Sequence, residues 1–238
     1  MEYNRKDYIN LIRPIPKYWR TDIYGIPFVK RNDIDITYLN NGKFLISVNN
    51  VSLKDNNKTN KIVHCFKDDK VLERIYNDPT KFIQKIASYY ACSTLDFSMY
   101  PNMSVAQIID ATFKNRWSGM WLQINGFKNV IVAVGWVNED TYDICFAGIE
   151  NGIILMISTL SCCNKDNNSK QIFLNGYKEL RKRFPDSKII CIGNKINGMD
   201  EDICYISYNE TFGNNEKYHY CYQPKMINWD NSDNVNLY

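Results

Sequence analysis

Short runs of apolar residues, separated by stretches with helical periodicity, dominate the hydrophobic pattern of this chain. The runs are Ile62–Phe66, Thr94–Phe97, Val130–Val134, Ile153–Ile157 and Ile189–Ile192. Apolar runs with little polar alternation are typical of strands that are buried on both faces, as in parallel sheets. We therefore predict that these five runs share one mostly parallel sheet.

The clearest unit of this pattern runs from Ser93 to Trp136, where a strand, a polar loop, a helix and a second strand follow one another. Its helix is predicted to begin at Ser104, because Gln107 completes a capping box in which each side chain bonds a backbone N–H at the helix start. The Asn125-Gly126 pair is a turn signal before the next strand. This order predicts one parallel crossover unit.

Arg116 falls on the apolar stripe of that helix. A buried guanidinium without a partner is costly, so we expect a carboxylate beside it. Asp96 is the first choice, and Asp68 or Asp69 is the second. If the pair is structural, Arg116→Met should be tolerated better than Asp96→Ala, since the latter leaves a buried positive charge unpaired.

The rest of the pattern predicts a single α/β domain with a mostly parallel sheet flanked by helices and an extended N-terminal arm. Residues 1–61 would form the arm, with Pro14, Pro16 and Pro27, and one strand packed on the body. Residues 62–208 would form the core, and residues 209–238 a polar, aromatic tail. Fewer than eight strand–helix units can be counted, which favours an open sheet over a closed barrel.

The composition is that of an ordinary globular protein, with 45% hydrophobic and 23% charged residues. The formal net charge of +3 is too small to imply a polyanionic partner. No apolar run reaches the roughly 18 to 20 residues that a membrane-spanning helix needs, and the first residues lack the apolar core of a signal peptide. We therefore predict a cytoplasmic protein that does not bind a membrane.

The eight cysteines include no Cys-x-x-Cys motif, and only His64 and His219 could act as imidazole ligands. This spacing disfavours a structural zinc site. Cysteines in apolar runs of a cytoplasmic protein are usually small buried side chains, so we predict that all of them are unbridged. No glycine-rich phosphate loop is present.

Candidate chemistry lies where the predicted strands end, because parallel α/β folds bind ligands at the carboxyl ends of their strands. The candidate residues are Asp68, Asp69, Asp96, Ser98, Arg116, Trp136 and Thr159. We predict no cofactor, with Mg²⁺ held by Asp68, Asp69 and Asp96 as the alternative. Asp and Ser are also common at strand ends simply because they cap local backbone groups.

A second candidate surface is the basic cluster Lys178, Arg181, Lys182 and Arg183, on the polar face of a predicted helix. A basic helix face can contact nucleic acid, but a solvated face is the commoner role of such a pattern. Direct nucleic-acid binding is therefore not favoured.

Residues 62 to 193 resemble an uncharacterised domain-of-unknown-function family of bacteria, phages and plasmids. The similar segments are His64–Asp69, Asp96–Tyr100, Phe113–Arg116, Gly119–Trp121, Trp136, Cys145–Phe146 with Gly148–Ile149, Thr159 and Ile192–Gly193. The resemblance implies a mobile-element setting and no known activity. This chain departs from the pattern at Gly135, where the resemblance implies arginine, at Ala147, where it implies aspartate, and at Leu95, where it implies proline.

Two of these departures remove charge from the predicted site, which favours a binding protein over an enzyme. The first hypothesis is a cytoplasmic binding or regulatory protein of a phage or plasmid. It would engage a protein or a protein–nucleic-acid assembly, and counteracting host defence is one version. The alternative is a metal-dependent enzyme that acts on phosphodiesters, in which Arg116 would steady the phosphate.

Overall fold

The computed structural model describes residues 13–32, 34–36, 45–160 and 167–207. The strands are β1 (Leu45–Ser47), β2 (Ile62–His64), β3 (Ala91–Ser93), β4 (Val130–Ala133), β5 (Leu155–Ser158), β6 (Ile189–Ile192) and β7 (Cys204–Ile206). The α-helices are α1 (Asp69–Asn77), α2 (Pro79–Ile86), α3 (Val105–Ile124), α4 (Tyr142–Cys145) and α5 (Asn167–Arg183). Short 3₁₀ turns cover Val48–Asn50, Lys58–Asn60 and Glu139–Thr141.

The seven strands form one curled parallel sheet in the order β1 to β7, each paired with the next strand along the chain. The predicted α/β fold with a largely parallel sheet is therefore confirmed. Each crossover moves one strand in the same direction, and right-handed crossovers in that order place the helices on a single face. The carboxyl ends of all seven strands consequently lie along one edge.

One strand begins and ends earlier than the pattern predicts. The sequence placed it at Thr94–Phe97, whereas β3 ends at Ser93. Thr94 still donates its N–H to the carbonyl of Ile131, but the N–H of Leu95 turns away to the Ser118 hydroxyl on α3, at 3.1 Å. The residues from Leu95 onward therefore form a loop at the carboxyl edge, and this loop carries Asp96.

The sheet separates two apolar layers. Side chains such as Val63, Cys92 and Val132 pack with the helices on one face. Their neighbours Ile62 and Ile131 belong to a second cluster on the other face. Successive strand residues point to opposite faces, so a continuous apolar run fills both layers.

Helix boundaries follow local signals where such signals exist. The Ser104–Gln107 capping box opens α3 as predicted, and the Asp78 side chain caps α2 by accepting from the Lys81 N–H at 3.4 Å. Helix α1 was not predicted from the sequence, and in the structure its N-cap residue Asp68 makes no side-chain capping bond.

The described part of the N-terminal segment packs along the body. The N–H of Val29 donates to the carbonyl of Gly148 at 3.0 Å, and the indole N–H of Trp117 donates to the carbonyl of Pro14 at 3.2 Å. A Cβ added at Gly119 on α3 would lie 2.8 Å from the Val29 side chain, so glycine permits this close approach. The predicted tail, residues 209–238, lies outside the described residues.

The described cysteines, Cys65, Cys92, Cys145, Cys191 and Cys204, are unbridged. The other three, Cys162, Cys163 and Cys221, lie outside the described residues, so the prediction for them stays open. Nowhere in the described ranges does a helix combine the length and the apolar character that crossing a bilayer requires.

Candidate functional site at the carboxyl edge of the sheet

Asp96 occupies the loop that follows β3 and is half-buried. Its carboxyl group has no hydrogen bond and no ion pair with any residue that the structure describes. Its pKa is raised from 3.8 to about 7, mainly by burial and also by the nearby negative charge of Asp69, while the charge of Arg116 acts in the opposite direction. Near neutral pH this carboxyl group is therefore poised between its protonated and its charged form.

Asp69 is the first residue of α1 and anchors the loop that carries Asp96. Its Oδ1 accepts from the backbone N–H and from the hydroxyl of Ser98, at 3.0 and 3.1 Å. A carboxylate in the first turn of a helix is also stabilised by the helix dipole. The predicted residues Asp69, Asp96 and Ser98 thus meet at one place, and the Ser98 hydroxyl is committed to Asp69.

Arg116 is buried, as predicted, with only 2% of its surface exposed. The prediction that a carboxylate pairs with Arg116 is wrong. The guanidinium donates instead to the backbone carbonyls of Ala133, Cys145 and Ala147, at 3.1, 2.9 and 2.9 Å, and to Asn115 Oδ1. Burial lowers its pKa to about 10, and the charge of Asp96 acts on it only at longer range.

The reason for this arrangement lies in the short helix α4. Helices leave their last carbonyls without intrahelical donors, and the carbonyls of Cys145 and Ala147 stand at and just after the end of α4. Arg116 supplies the missing donors from α3. Its role is therefore to hold α4 and the end of β4 onto α3, and its N–H groups are bonded to backbone carbonyls and to Asn115, not to Asp96.

The three aspartates of the predicted magnesium site do not come together. Asp68 is exposed at the start of α1, whereas Asp69 and Asp96 face the loop after β3. Within the described ranges, no group of three or more His, Cys, Asp or Glu side chains could hold a metal ion. The alternative set Asp68, Asp69 and Asp96 is therefore not assembled here.

Thr159 lies at the same edge of the sheet, but its hydroxyl is hydrogen-bonded to the backbone. It is fully buried, and its hydroxyl donates to the carbonyl of Asn194 at 2.8 Å. A Cβ at Gly193 would lie 2.4 Å from this hydroxyl oxygen. Thr159 therefore links the ends of β5 and β6 and is not gathered with Asp96.

Trp136 follows β4 and packs between helices. Its ring centroid lies 5.0 Å from that of Phe173 on α5 and 6.1 Å from that of Phe146. Gly176 on α5 faces the indole so closely that a Cβ there would lie 2.2 Å from the ring. Trp136 is therefore a packing residue between the sheet edge and α5.

We expect Gly176→Ala to destabilise the protein by about 1–3 kcal/mol, because the methyl group would overlap the Trp136 ring. The intrinsic helix preference of alanine acts in the opposite direction, by about 1 kcal/mol. Chemical denaturation measures the net effect, and Lys178→Ala, on the exposed face of α5, is the matched control. A variant as stable as the wild type would show that Trp136 is free to move.

Gly135 precedes Trp136 and faces Asp96. A Cβ at this position would lie 3.9 Å from Asp96 Oδ1 and 3.2 Å from the terminal methyl group of Met99. The site at which the family resemblance implies arginine is thus next to the unpaired carboxylate. Nothing in the sequence alone connected Gly135 with Asp96, because the two lie on different strand–loop units.

The basic cluster on α5 is largely neutralised. Arg181 pairs with Asp200 and Asp202, at 3.0 and 2.7 Å, while Arg183 pairs with Asp143 and Glu179, both at 2.8 Å. These ion pairs fit the solvated-face interpretation of the cluster, which was preferred over nucleic-acid contact.

The geometry defines an α/β protein with one curled parallel sheet and a carboxyl-edge site centred on an unpaired aspartate. The chain belongs to the family described as Domain of unknown function (DUF4417), whose model matches residues 18–209. The resemblance drawn from the sequence motifs is thereby confirmed.

Phage proteins are among its relatives. The chain is 28% identical over 141 residues to the Gene 1 protein of Mycobacterium phage L5, covering 59% of this chain and 61% of the phage protein. It is also 28% identical over 131 residues to the Gene 1 protein of Mycobacterium phage D29, covering 55% of this chain and 48% of that protein. The chain thus spans less than two thirds of either relative. No solved structure matches.

Proposed function

We propose that this protein is a binding or regulatory protein of a mobile genetic element, and that the carboxyl edge around Asp96 holds a hydrogen-bond donor or a cationic group of its partner. One observation carries the proposal, which is the half-buried Asp96 carboxyl group without a partner among the described residues. The similarity to phage proteins supports the mobile-element setting.

The physical argument concerns the cost of this carboxyl group. A carboxyl group that is partly removed from water, with no protein donor beside it, is less stable in its charged form than in solution. The Asp96 carboxyl group lies at the edge of the sheet where parallel α/β folds bind ligands. A donor supplied by a partner would satisfy the Asp96 oxygens.

The neighbouring groups favour binding over catalysis. The Ser98 hydroxyl is bonded to Asp69, and the guanidinium of Arg116 is bonded to backbone carbonyls. His64 is fully buried, and burial lowers its pKa to about 3, so its imidazole is neutral and enclosed. None of these three residues offers Asp96 a free nucleophile or proton-transfer group, and the nearby carboxylate of Asp69 already accepts two hydrogen bonds from Ser98.

An enzyme is the second candidate, and the pKa of Asp96 favours it. A carboxyl group with a pKa of about 7 suits general acid–base catalysis at neutral pH. The metal-dependent phosphodiester version, with Mg²⁺, has weaker support, since Asp68 is exposed at the start of α1 and the donors of Arg116 are already bonded to backbone carbonyls and Asn115. If Asp96 is a catalytic acid or base, the rate of turnover should change with pH around an apparent pKa near 7, and turnover should be lost in Asp96→Asn.

The partner in this proposal is a cytoplasmic protein or protein–nucleic-acid assembly of the host or of the element, and counteracting host defence is one version of the role. The test is capture from cells that carry the parent element, with wild-type protein, Asp96→Asn and the control Asp68→Asn in parallel. We expect a partner that the wild type and Asp68→Asn retain and that Asp96→Asn loses by about tenfold or more. Equal capture by all three proteins would refute the role of Asp96.

A further inference from the structure

We propose that residues 17–30 form a docking surface for an acidic protein segment that carries apolar side chains. This arm surface lies outside the carboxyl-edge site and goes beyond the function proposed above. Its chemistry combines solvent-exposed apolar side chains with cations, on a turn whose backbone is held in place.

The backbone of the arm surface is fixed by a ring of hydrogen bonds. The N–H of Asp22 donates to the carbonyl of Ile26, and the N–H of Phe28 donates to the carbonyl of Arg20, both at 3.0 Å. The Asp22 carboxylate accepts from the N–H groups of Tyr24 and Ile26, at 2.9 and 2.8 Å. A turn that is ordered before binding loses little entropy when a partner docks.

The apolar side chains of this turn divide between two environments. Ile26 and Val29 are buried against the body of the protein. Tyr18, Ile23 and Tyr24 instead point to solvent, with exposed fractions of 78%, 92% and 39%. A cluster of exposed large apolar side chains on an ordered turn is typical of a protein-interaction surface.

Three cations surround these side chains. Lys17, Arg20 and Lys30 are exposed, and none of them forms an ion pair with a residue in the described ranges. Two are held by aromatic rings, with the Arg20 guanidinium 3.8 Å from the centroid of Phe28 and the Lys30 ammonium 4.0 Å from that of Trp19. This contrasts with the basic cluster on α5, where acidic neighbours neutralise the arginines.

Charge complementarity selects the partner. Asp22 is the only acidic residue of the arm surface, and its carboxylate is turned toward backbone N–H groups. The surface is therefore net positive, which disfavours a second copy of this chain and favours an acidic partner. Ile23, at the tip, fits an apolar pocket or side chain and offers no ring for stacking on a nucleotide base. Anionic membranes are recognised by clusters of about 4 to 8 basic residues, more than this surface carries.

The proposal is tested with the full chain and short fluorescently labelled peptides in which Asp and Glu alternate with Leu, Phe or Tyr. Peptides with Lys in place of Asp and Glu are the matched probes. We expect the acidic peptides alone to bind, with an affinity that falls as salt is raised. Ile23→Ser and Arg20→Glu should each weaken binding by about tenfold. The controls Leu53→Ser and Lys178→Glu change an exposed apolar residue and an exposed cation elsewhere and should bind as the wild type does.

Three other occupants serve as competing outcomes. Single-stranded DNA and vesicles of phosphatidylserine and phosphatidylcholine are titrated in the same way, and sedimentation reports self-association. The proposal is overturned if Ile23→Ser weakens the binding of single-stranded DNA or of vesicles, or weakens self-association, and leaves the binding of the acidic peptides unchanged. It is also overturned if no acidic peptide binds, or if the control variants lose binding equally. Thermal melts of every variant establish that the fold is intact.

Discussion

Asp96→Asn is expected to stabilise the protein at pH 8, although it removes the group on which the proposed site depends. The folded-state pKa of Asp96 is raised to about 7 from a reference of 3.8, mainly by burial. The unfolded chain therefore gives up this proton more readily than the folded chain does. Stability is lost as the pH rises from about 4 to about 7, and the loss is complete above the folded pKa.

Asparagine keeps the shape of the side chain but cannot become charged. At one pKa unit per 1.36 kcal/mol, and after discounting for partial exposure, the gain in unfolding free energy should be about 1–3 kcal/mol at pH 8. Urea denaturation at pH 5 and at pH 8 measures it, and the gain should be larger at pH 8. Asp68→Asn, at an exposed position, should change little at either pH. Lower stability of Asp96→Asn at pH 8 would contradict the raised pKa.

Arg116→Met is expected to be the most destabilising of these substitutions. Methionine fills part of the volume but leaves the buried carbonyls of Ala133, Cys145 and Ala147 without the donors that the guanidinium supplies. Loss of a buried, hydrogen-bonded charge of this kind costs about 3–5 kcal/mol. The expected order is therefore the reverse of the one that the sequence suggested, in which Arg116→Met was tolerated better than replacement of Asp96.

Lys114→Met, two residues earlier on α3, is the matched control. Lys114 forms ion pairs with Glu73 and Asp110, both at 2.9 Å, near the surface. Pairs of this kind contribute about 0–1 kcal/mol, so this variant should unfold close to the wild type. Arg116→Lys should fall between the two, because a single ammonium cannot reach three carbonyls arranged around a planar guanidinium. Equal stabilities of Arg116→Met and Lys114→Met would show that other donors replace Arg116.

Asp96, which destabilises the fold, and Arg116, which stabilises it, have different roles in the proposed function. Arg116 explains how α3, α4 and β4 are held together, and its loss should reduce partner binding only through loss of the fold. Asp96 does the opposite, since its removal should improve stability while it weakens the proposed contact. Stability gained at the expense of function is the usual outcome when a functional group is replaced. Measuring both properties in Asp96→Asn therefore separates the two roles.

The sequence determined the local elements of this protein. Continuous apolar runs predicted β2, β4 and β6, because a strand that is buried on both faces needs apolar residues at successive positions. The Ser104–Gln107 pair predicted the start of α3, because a capping box satisfies backbone groups within one turn. The sequence also indicated that Asp69, Asp96 and Ser98 would lie at one edge of the sheet, since the carboxyl ends of parallel strands lie together.

Only the tertiary structure decided the partners of these residues. Arg116 bonds carbonyls at the end of α4, some thirty residues away in the chain, as the 31-residue separation from Ala147 shows. Gly135 lies close to Asp96 because the loops that follow two neighbouring strands, β3 and β4, fold next to each other. Hydrophobic periodicity reports which face of an element is buried, but it does not report which polar group lies opposite. That choice is made when distant segments pack, because a buried donor accepts whichever acceptor the fold brings within reach.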